Sequence, residues 1–324
     1  MITPRPYQQE AIDKAVAYLR SRSNRNGLLV LPTGSGKSVV IAGILRELGE
    51  PTLVFQPSKE ILEQNHAKLC AYGYRAGIYS ASAGEKRIQD VTFATVGSIV
   101  RKPHLLDRFK YVLVDECHFV NAKGGMYEEV IDHMGVRVLG LTATPYRLGT
   151  EQDFKTGAKY SILKFLTRTN PRVFSDVVHY VQNRDLFEAG YLAKLVYHEI
   201  KTINRDALQV NSTGADYTEQ SLYQQYEVSG YYRKLVQVVN RLFHPEVNRR
   251  NALVFTRFVK EAQLLAQSVP GTAVVTADTP AKERDRIIGG FRAGRIRCVA
   301  NVGILTTGFD YPELEAVVMA RPTR

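Results

Sequence analysis

Short apolar runs alternate with amphipathic stretches through the first half of the chain. Leu28–Leu31, Thr52–Phe55, Thr92–Thr95, Tyr111–Val114 and Val136–Leu141 are rich in Val, Leu and Phe, without strict in–out alternation. A strand with one wet face alternates polar and apolar residues, whereas a strand covered on both faces has no reason to. These runs therefore predict buried strands of a parallel sheet. Ser38–Leu48 and Ser58–Tyr72 lie between them with helical patterning. Strand and helix in alternation predict a doubly wound α/β fold.

The pattern breaks near Gly149. The stretch that follows is polar and mixed, and is expected to connect two units or to carry a small insertion. A helix resumes at Tyr231, where Tyr232, Leu235, Val236, Val239, Leu242 and Phe243 recur at i, i+3, i+4, i+7 and form one apolar face. A second α/β series follows, with strands expected at Ala252–Phe255, Ala273–Thr276, Arg297–Val302 and Ala316–Ala320. Helices are expected at Val259–Ser268 and Pro280–Ala293. The expected organisation is a first domain at 1–150, a linker or insertion at 151–228, and a second domain with fewer elements at 229–324.

Composition narrows the class. The 324 residues are 44% hydrophobic and 23% charged, as in globular proteins that live in water. No apolar run reaches the length of a membrane span, and the N-terminus lacks the apolar core of a secretion signal. The three cysteines, Cys70, Cys117 and Cys298, are far apart and show no metal-ligand spacing, so neither a disulfide framework nor a zinc site is expected. These features together predict a reduced, cytoplasmic protein. Lys and Arg number 43 against 32 Asp and Glu, a net charge of +11, which favours a polyanionic partner such as nucleic acid.

Candidate chemistry is concentrated at strand ends. Leu31-Pro32-Thr33-Gly34-Ser35-Gly36-Lys37-Ser38 follows a strand and opens a helix, the setting of a phosphate-binding loop. Gly34 and Gly36 let the backbone turn its N–H groups toward phosphate oxygens, beside the positive end of the helix dipole. Lys37 is expected to reach the β- and γ-phosphates of a nucleotide, and Ser38 to supply a hydroxyl to Mg2+. Asp115-Glu116-Cys117-His118 closes the strand Tyr111–Val114. Carboxylates at the end of a buried strand are costly unless they serve a purpose. Asp115 is expected to hold Mg2+ through water, and Glu116 to accept a proton from the attacking water. Cys117 reads as a small packing residue. Thr142 and Thr144, in Leu141-Thr142-Ala143-Thr144-Pro145, place two hydroxyls at a further strand end.

Taken together, these segments resemble superfamily 2 helicases. Thr33–Ser38 resembles motif I of that family, Asp115–His118 motif II and Thr142–Thr144 motif III. Arg5-Pro6-Tyr7-Gln8 resembles the adenine-recognising motif. The resemblance implies that Gln8 hydrogen-bonds the adenine edge and that Arg5 or Tyr7 packs near the base. It also implies that His118, Thr142 and Thr144 couple the nucleotide site to the rest of the motor. Pro57, Ser58 and Lys59 resemble motif Ia, and Thr95, Gly97 and Ser98 motif Ib, both contacts to a nucleic-acid backbone. In the second series Thr256 falls in a segment similar to motif IV, and Thr276 and Asp278 in one similar to a strand-tracking loop. Asn301–Asp310 resembles motif V, which implies Thr306 and Thr307 toward nucleic acid, and Gly308 and Asp310 toward ATP across a cleft.

The resemblance is nearest to the RadD-like DNA helicases, on the segments already quoted and on Ala189-Gly190-Tyr191-Leu192. It implies an ATP- and Mg2+-dependent motor on DNA with two RecA-like domains, acting in DNA repair or recombination. No segment has the Gln-x-x-Gly-Arg-x-x-Arg spacing of motif VI, which carries the family's arginine finger. The expectation is that this chain is an incomplete motor that turns ATP over poorly. Two alternatives stand beside an autonomous helicase or translocase. One is a motor subunit of a restriction or phage-defence complex, and the other an ATP-gated DNA clamp without efficient turnover.

Overall fold

In a computed structural model of the protein, residues 3–121, 124–152, 157, 159–211, 216–305, 309 and 311–322 are described. The chain forms two compact units, Met1–Val196 and Tyr197–Arg324.

The first unit opens with α1 (Pro6–Arg20), β1 (Gly27–Val30), α2 (Lys37–Leu48), β2 (Thr52–Phe55) and α3 (Lys59–Ala71). It continues with β3 (Gly77–Ser80), β4 (Glu85–Lys86), β5 (Val91–Ala94), the single turn α4 (Val96–Ile99), β6 (Tyr111–Asp115), α5 (Met126–Met134) and β7 (Val138–Thr142). Then come β8 (Tyr146–Gln152), β9 (Lys159–Phe165), β10 (Asp176–Tyr180) and α6 (Asn183–Glu188). Eight strands form one sheet in the order β10-β1-β7-β6-β2-β5-β3-β4, parallel except for the β3–β4 pair. Each of the five runs singled out by their apolar character lies in this sheet, with ends shifted by a residue or two. Buried residues cover both faces, which is why those strands do not alternate. Leu29, Val54, Leu113 and Leu139 face a core with α1 and α2, and Leu28, Phe55, Val112 and Val138 face a second core on the other side.

Parallel strands bring their carboxyl ends to one edge of the sheet, the place where ligands bind in open α/β folds. The segments after β1, β2, β5, β6 and β7 therefore share that edge, and they are the segments with candidate chemistry.

The expected linker at 151–228 is only partly a connector. Asp176–Tyr180 pairs with β1 as an edge strand of the main sheet, and β8 and β9 form a separate antiparallel ribbon. Neither has a buried-strand pattern, because β10 is covered on one side only and the ribbon is largely exposed.

The second unit contains α7 (Glu219–Val228), α8 (Tyr231–Phe243), β11 (Ala252–Thr256), α9 (Val259–Ser268), β12 (Thr272–Val275), α10 (Ala281–Arg292), β13 (Cys298–Asn301) and β14 (Val317–Ala320). Its parallel sheet has the order β12-β13-β11-β14. The apolar face expected on α8 packs through Leu235 and Val239 onto Val254, Leu265 and Ala300. Ile287 and Phe291 of α10 cover the opposite face. Both units are thus α/β with parallel sheets, and none of the described helices is long and apolar enough to cross a membrane.

One buried charge in this unit has a measurable consequence. Glu261 is fully buried and accepts from the backbone N–H groups of Arg257 and Phe258 through one oxygen. Burial pushes its carboxyl up from 4.5 to about 7 against those two donors. The unfolded chain loses this proton at lower pH than the folded one, so stability falls as pH rises from about 4.5 to about 7. The cost above that window is on the order of 3 kcal/mol. Glu261→Gln retains an oxygen acceptor and is expected to flatten this slope, read by urea unfolding across the window. An unchanged slope would show that Glu261 does not carry it.

Candidate nucleotide and nucleic-acid site

The phosphate-loop geometry follows from its two glycines. Gly34 and Gly36 have φ of 81° and 79°, a left-handed region in which a β-carbon is strained. A β-carbon on Gly36 would stand 2.5 Å from Gln8 Nε2, and one on Gly34 2.9 Å from Leu192 Cδ2. The loop is therefore held against the N-terminal motif on one side and the Gly190–Leu192 segment on the other. Gln8 Nε2 and the Tyr7 hydroxyl both donate to the Ser35 carbonyl, at 2.7 and 2.8 Å. Gln8 Oε1 accepts from Arg5 N at 2.9 Å. Both ends of the buried Gln8 amide are thus engaged within the protein, and the contact it makes is to the loop backbone. Arg5 and Tyr7 gather around Tyr191, with the guanidinium 4.3 Å from the ring centroid and the Tyr7 ring 5.4 Å away. Tyr191, quoted in the sequence only as part of a resemblance, is a member of this cluster.

Lys37 opens α2, and its ammonium lies 2.9 Å from Glu116 Oε1. Glu116 turns the chain at the end of β6 with φ of 48°. A non-glycine residue in that region is uncommon, and it marks a position where the side chain is needed in a particular place. Asp115, 3% exposed, accepts from Glu116 N at 3.0 Å and from Asn65 Nδ2 at 3.0 Å. Burial raises its carboxyl to about 6, with Lys37 acting in the opposite sense. Ser38 donates to Asn65 Oδ1 at 2.6 Å, and Asn65 Nδ2 also reaches Gln56 Oε1 at 3.1 Å. Asn65 is therefore a bridge between the Ser38 hydroxyl and the Asp115 carboxylate. Its signal in the sequence is a polar residue between Leu62 and Leu69 on the buried stripe of α3.

His118 ties motif II to motif III. Its Nδ1 lies 3.0 Å from Thr142 Oγ1, 3.4 Å from Thr144 Oγ1 and 3.3 Å from Glu116 Oε2. Burial lowers its pKa below the usual imidazole value, favouring the neutral ring. The buried Cys117 thiol is held protonated by the same desolvation, in keeping with a packing residue.

The Pro57–Lys59 and Thr95–Ser98 segments sit side by side at the ends of β2 and β5. Ser58 caps α3 by accepting from Ile61 N, and Thr95 and Ser98 hydroxyls share a hydrogen bond at 2.8 Å. Gly97 is exposed and Pro57 and Lys59 partly so. Thr256 departs from the expectation. It is 2% exposed, and its hydroxyl points inward to the carbonyls of Phe258 and Asn301. A side chain buried at the end of a central strand is not a surface contact. Thr276 is partly exposed, bonds Thr279 through its backbone N–H, and precedes the exposed Asp278. Thr306, Thr307, Gly308 and Asp310 lie outside the described residues. Asn301 anchors the segment before them by accepting from Ile304 N and Leu305 N, both at 3.0 Å.

Pro32, Thr33 and Ser35 complete the loop, and the Ser35 hydroxyl is buried with no hydrogen-bond partner among the described residues. A buried hydroxyl without a partner in a glycine-rich turn fits a loop built around a polar ligand. The oxygen donors Ser38 and Asp115 are of the hard type that Mg2+ prefers.

Both halves of the chain match known protein families. Residues 1–147 match the family described as "Type III restriction enzyme, res subunit". Residues 230–324 match "Helicase conserved C-terminal domain". The "Putative DNA 3'-5' helicase Rad25" of Halobacterium salinarum is 28% identical over 98% of this chain and 49% of its own length. A "51.5 kDa protein" of a Lactococcus phage is 26% identical over 90% of this chain and 58% of its own. The chain thus spans about half the length of these curated relatives. Among solved structures, the Hef helicase domain of Pyrococcus furiosus superposes over 99% of this chain and 90% of that one, with a TM-score of 0.60 at 13% identity.

Proposed function

We propose that this chain, whose residues 1–147 and 230–324 match a restriction-enzyme family and a helicase family, is an ATP-hydrolysing motor of the superfamily 2 helicase type that acts on nucleic acid, DNA in preference to RNA. The observation that carries this reading is the meeting of Lys37, Ser38, Asp115 and Glu116 at one edge of the first sheet. Lys37 is placed to neutralise phosphate charge, and Glu116, 2.9 Å from it, to take a proton from an attacking water. His118, itself held by the Thr142 and Thr144 hydroxyls, contacts Glu116 at its other oxygen. The nucleotide's phosphates would lie against the backbone of 33–36 and the start of α2, where N–H groups lack helical partners. Ser38 and Asp115 would hold Mg2+, which supplies charge neutralisation on phosphate oxygens. Arg5, Tyr7 and Tyr191 form the aromatic and cationic surface beside which an adenine would pack, and Gln8 fixes the loop.

Nucleic acid would contact Pro57–Lys59 and Thr95–Ser98 in the first unit, and Thr276 and Asp278 are the second unit's own candidate contacts. Hydroxyls, a lysine and backbone N–H groups suit phosphate contacts without sequence readout. The preference for DNA rests on the DNA helicases among the relatives. Such contacts make affinity salt-dependent, with a slope near −0.7 per phosphate neutralised on a single strand. Binding to a labelled single-stranded oligonucleotide is expected to weaken steeply between low and physiological salt. Affinity that does not change with salt would overturn this mode of contact. A second reading, a motor subunit of a restriction complex, is favoured by the match over 1–147. It differs in requiring a nuclease partner for cleavage.

A further inference from the structure

The ribbon formed by β8 and β9 takes no part in the reading above. It leaves the sheet directly after Thr144-Pro145, and Leu166 N closes its base on the Pro145 carbonyl at 2.9 Å. Its register pairs Tyr146 with Phe165 and Leu148 with Leu163. Opposed residues of an antiparallel pair share a face, so these four form one apolar surface. Leu148 is 77% exposed, Leu163 52% and Phe165 43%. A two-stranded ribbon is marginal by itself, and a contiguous exposed apolar face on one marks an interaction surface.

The chemistry around the face selects the partner. Tyr146 and Phe165 meet edge to face at 6.0 Å, and the Arg168 guanidinium lies 5.8 Å from the Phe165 ring. Residues 146–172 hold six Lys and Arg against two Asp and Glu; Arg147 and Lys164 lie on the ribbon's opposite face, and Arg168 sits at the Phe165 end of the apolar one. Aromatic rings with cations at their rim are the platform on which unstacked bases lie while the phosphates meet positive charge. A protein partner of ordinary composition has no need of that excess.

The ribbon is also wired to the nucleotide site. Arg147, opposite Lys164 on the other face, donates through Nε to the His118 carbonyl. His118 in turn contacts Glu116, the partner of Lys37. We infer that the β8–β9 ribbon is a docking surface for the bases of single-stranded nucleic acid, connected through Arg147 to the phosphate-sensing residues. This inference rests on the motor reading and adds to it a contact outside the strand-end loops.

The test uses the full chain with Leu148→Ser, Leu163→Ser and Phe165→Ser combined. These side chains are exposed, so folding and nucleic-acid-free ATP hydrolysis are expected to match the parent. Affinity for a labelled oligothymidylate is expected to fall at least about fivefold, the loss from one or more stacked bases. In parallel, benzoylphenylalanine at Leu163 is expected to cross-link to the oligonucleotide under light. Parental affinity in the triple variant without a nucleic-acid adduct, or an adduct only to a second copy of the chain, overturns the ribbon as a base platform and leaves the motor reading standing. Failure of the parent chain itself to bind the oligonucleotide overturns both.

Discussion

Replacing Lys37 with Ala is expected to lower ATP turnover by at least a factor of about 10³ while the first unit stays folded. The size follows from what the ammonium does. It is the cation closest to Glu116, at 2.9 Å, and it opens the helix that carries the phosphate loop. Removing one preorganised charge or donor aimed at developing negative charge costs roughly 10²–10³ in rate. Weaker ground-state binding adds to this, since a hydrogen bond to a charged group contributes about 1.5–3 kcal/mol. The fold should survive, because Lys37 is at the first helical position and its side chain takes no part in either core. Steady-state hydrolysis and nucleotide titration by calorimetry read the two effects separately. Turnover within tenfold of the parent would remove Lys37 from the site.

Glu116→Gln is expected to leave ATP binding close to the parent value and to lower hydrolysis by about 10²–10⁴, the usual contribution of a positioned general base. Gln keeps the shape of the side chain and an oxygen that Lys37 can still reach. It cannot take a proton from water. The αL backbone at Glu116 is retained, so the position of the side chain does not change. Single-turnover hydrolysis beside an equilibrium binding measurement gives the split. A parallel loss of binding and hydrolysis would mean that Glu116 acts through Lys37 and not as a base.

The parts of this account that were legible in the sequence share a physical reason. Strands such as Thr52–Phe55 and Tyr111–Asp115 are buried on both faces, so composition alone exposes them. That Lys37, Ser38, Asp115 and Glu116 lie together was legible because the proposed phosphate chemistry would need those groups at the ends of such strands. What was not legible depends on contacts between distant positions. Asn65 joins Ser38 and Asp115 from 27 and 50 residues away, and only its polar character on a buried stripe marks it. Tyr191 reaches Arg5 through the fold, from a segment that reads as connector. The strands β3 and β10 carry Gly, Ser, Asp and His, and their identity comes from pairing with neighbours. Thr256 was misplaced because a hydroxyl at a strand end can face a ligand or the core, and the inward hydrogen bonds decide for the core.

The central claim is that phosphate chemistry at Lys37 and Glu116 drives action on nucleic acid. The most direct measurement is ATP hydrolysis by the chain with and without single-stranded DNA, beside Lys37→Ala. Hydrolysis is expected to be slow, to rise with DNA and to disappear in the variant. ATP hydrolysis that ignores DNA, or that persists without Lys37, would contradict it.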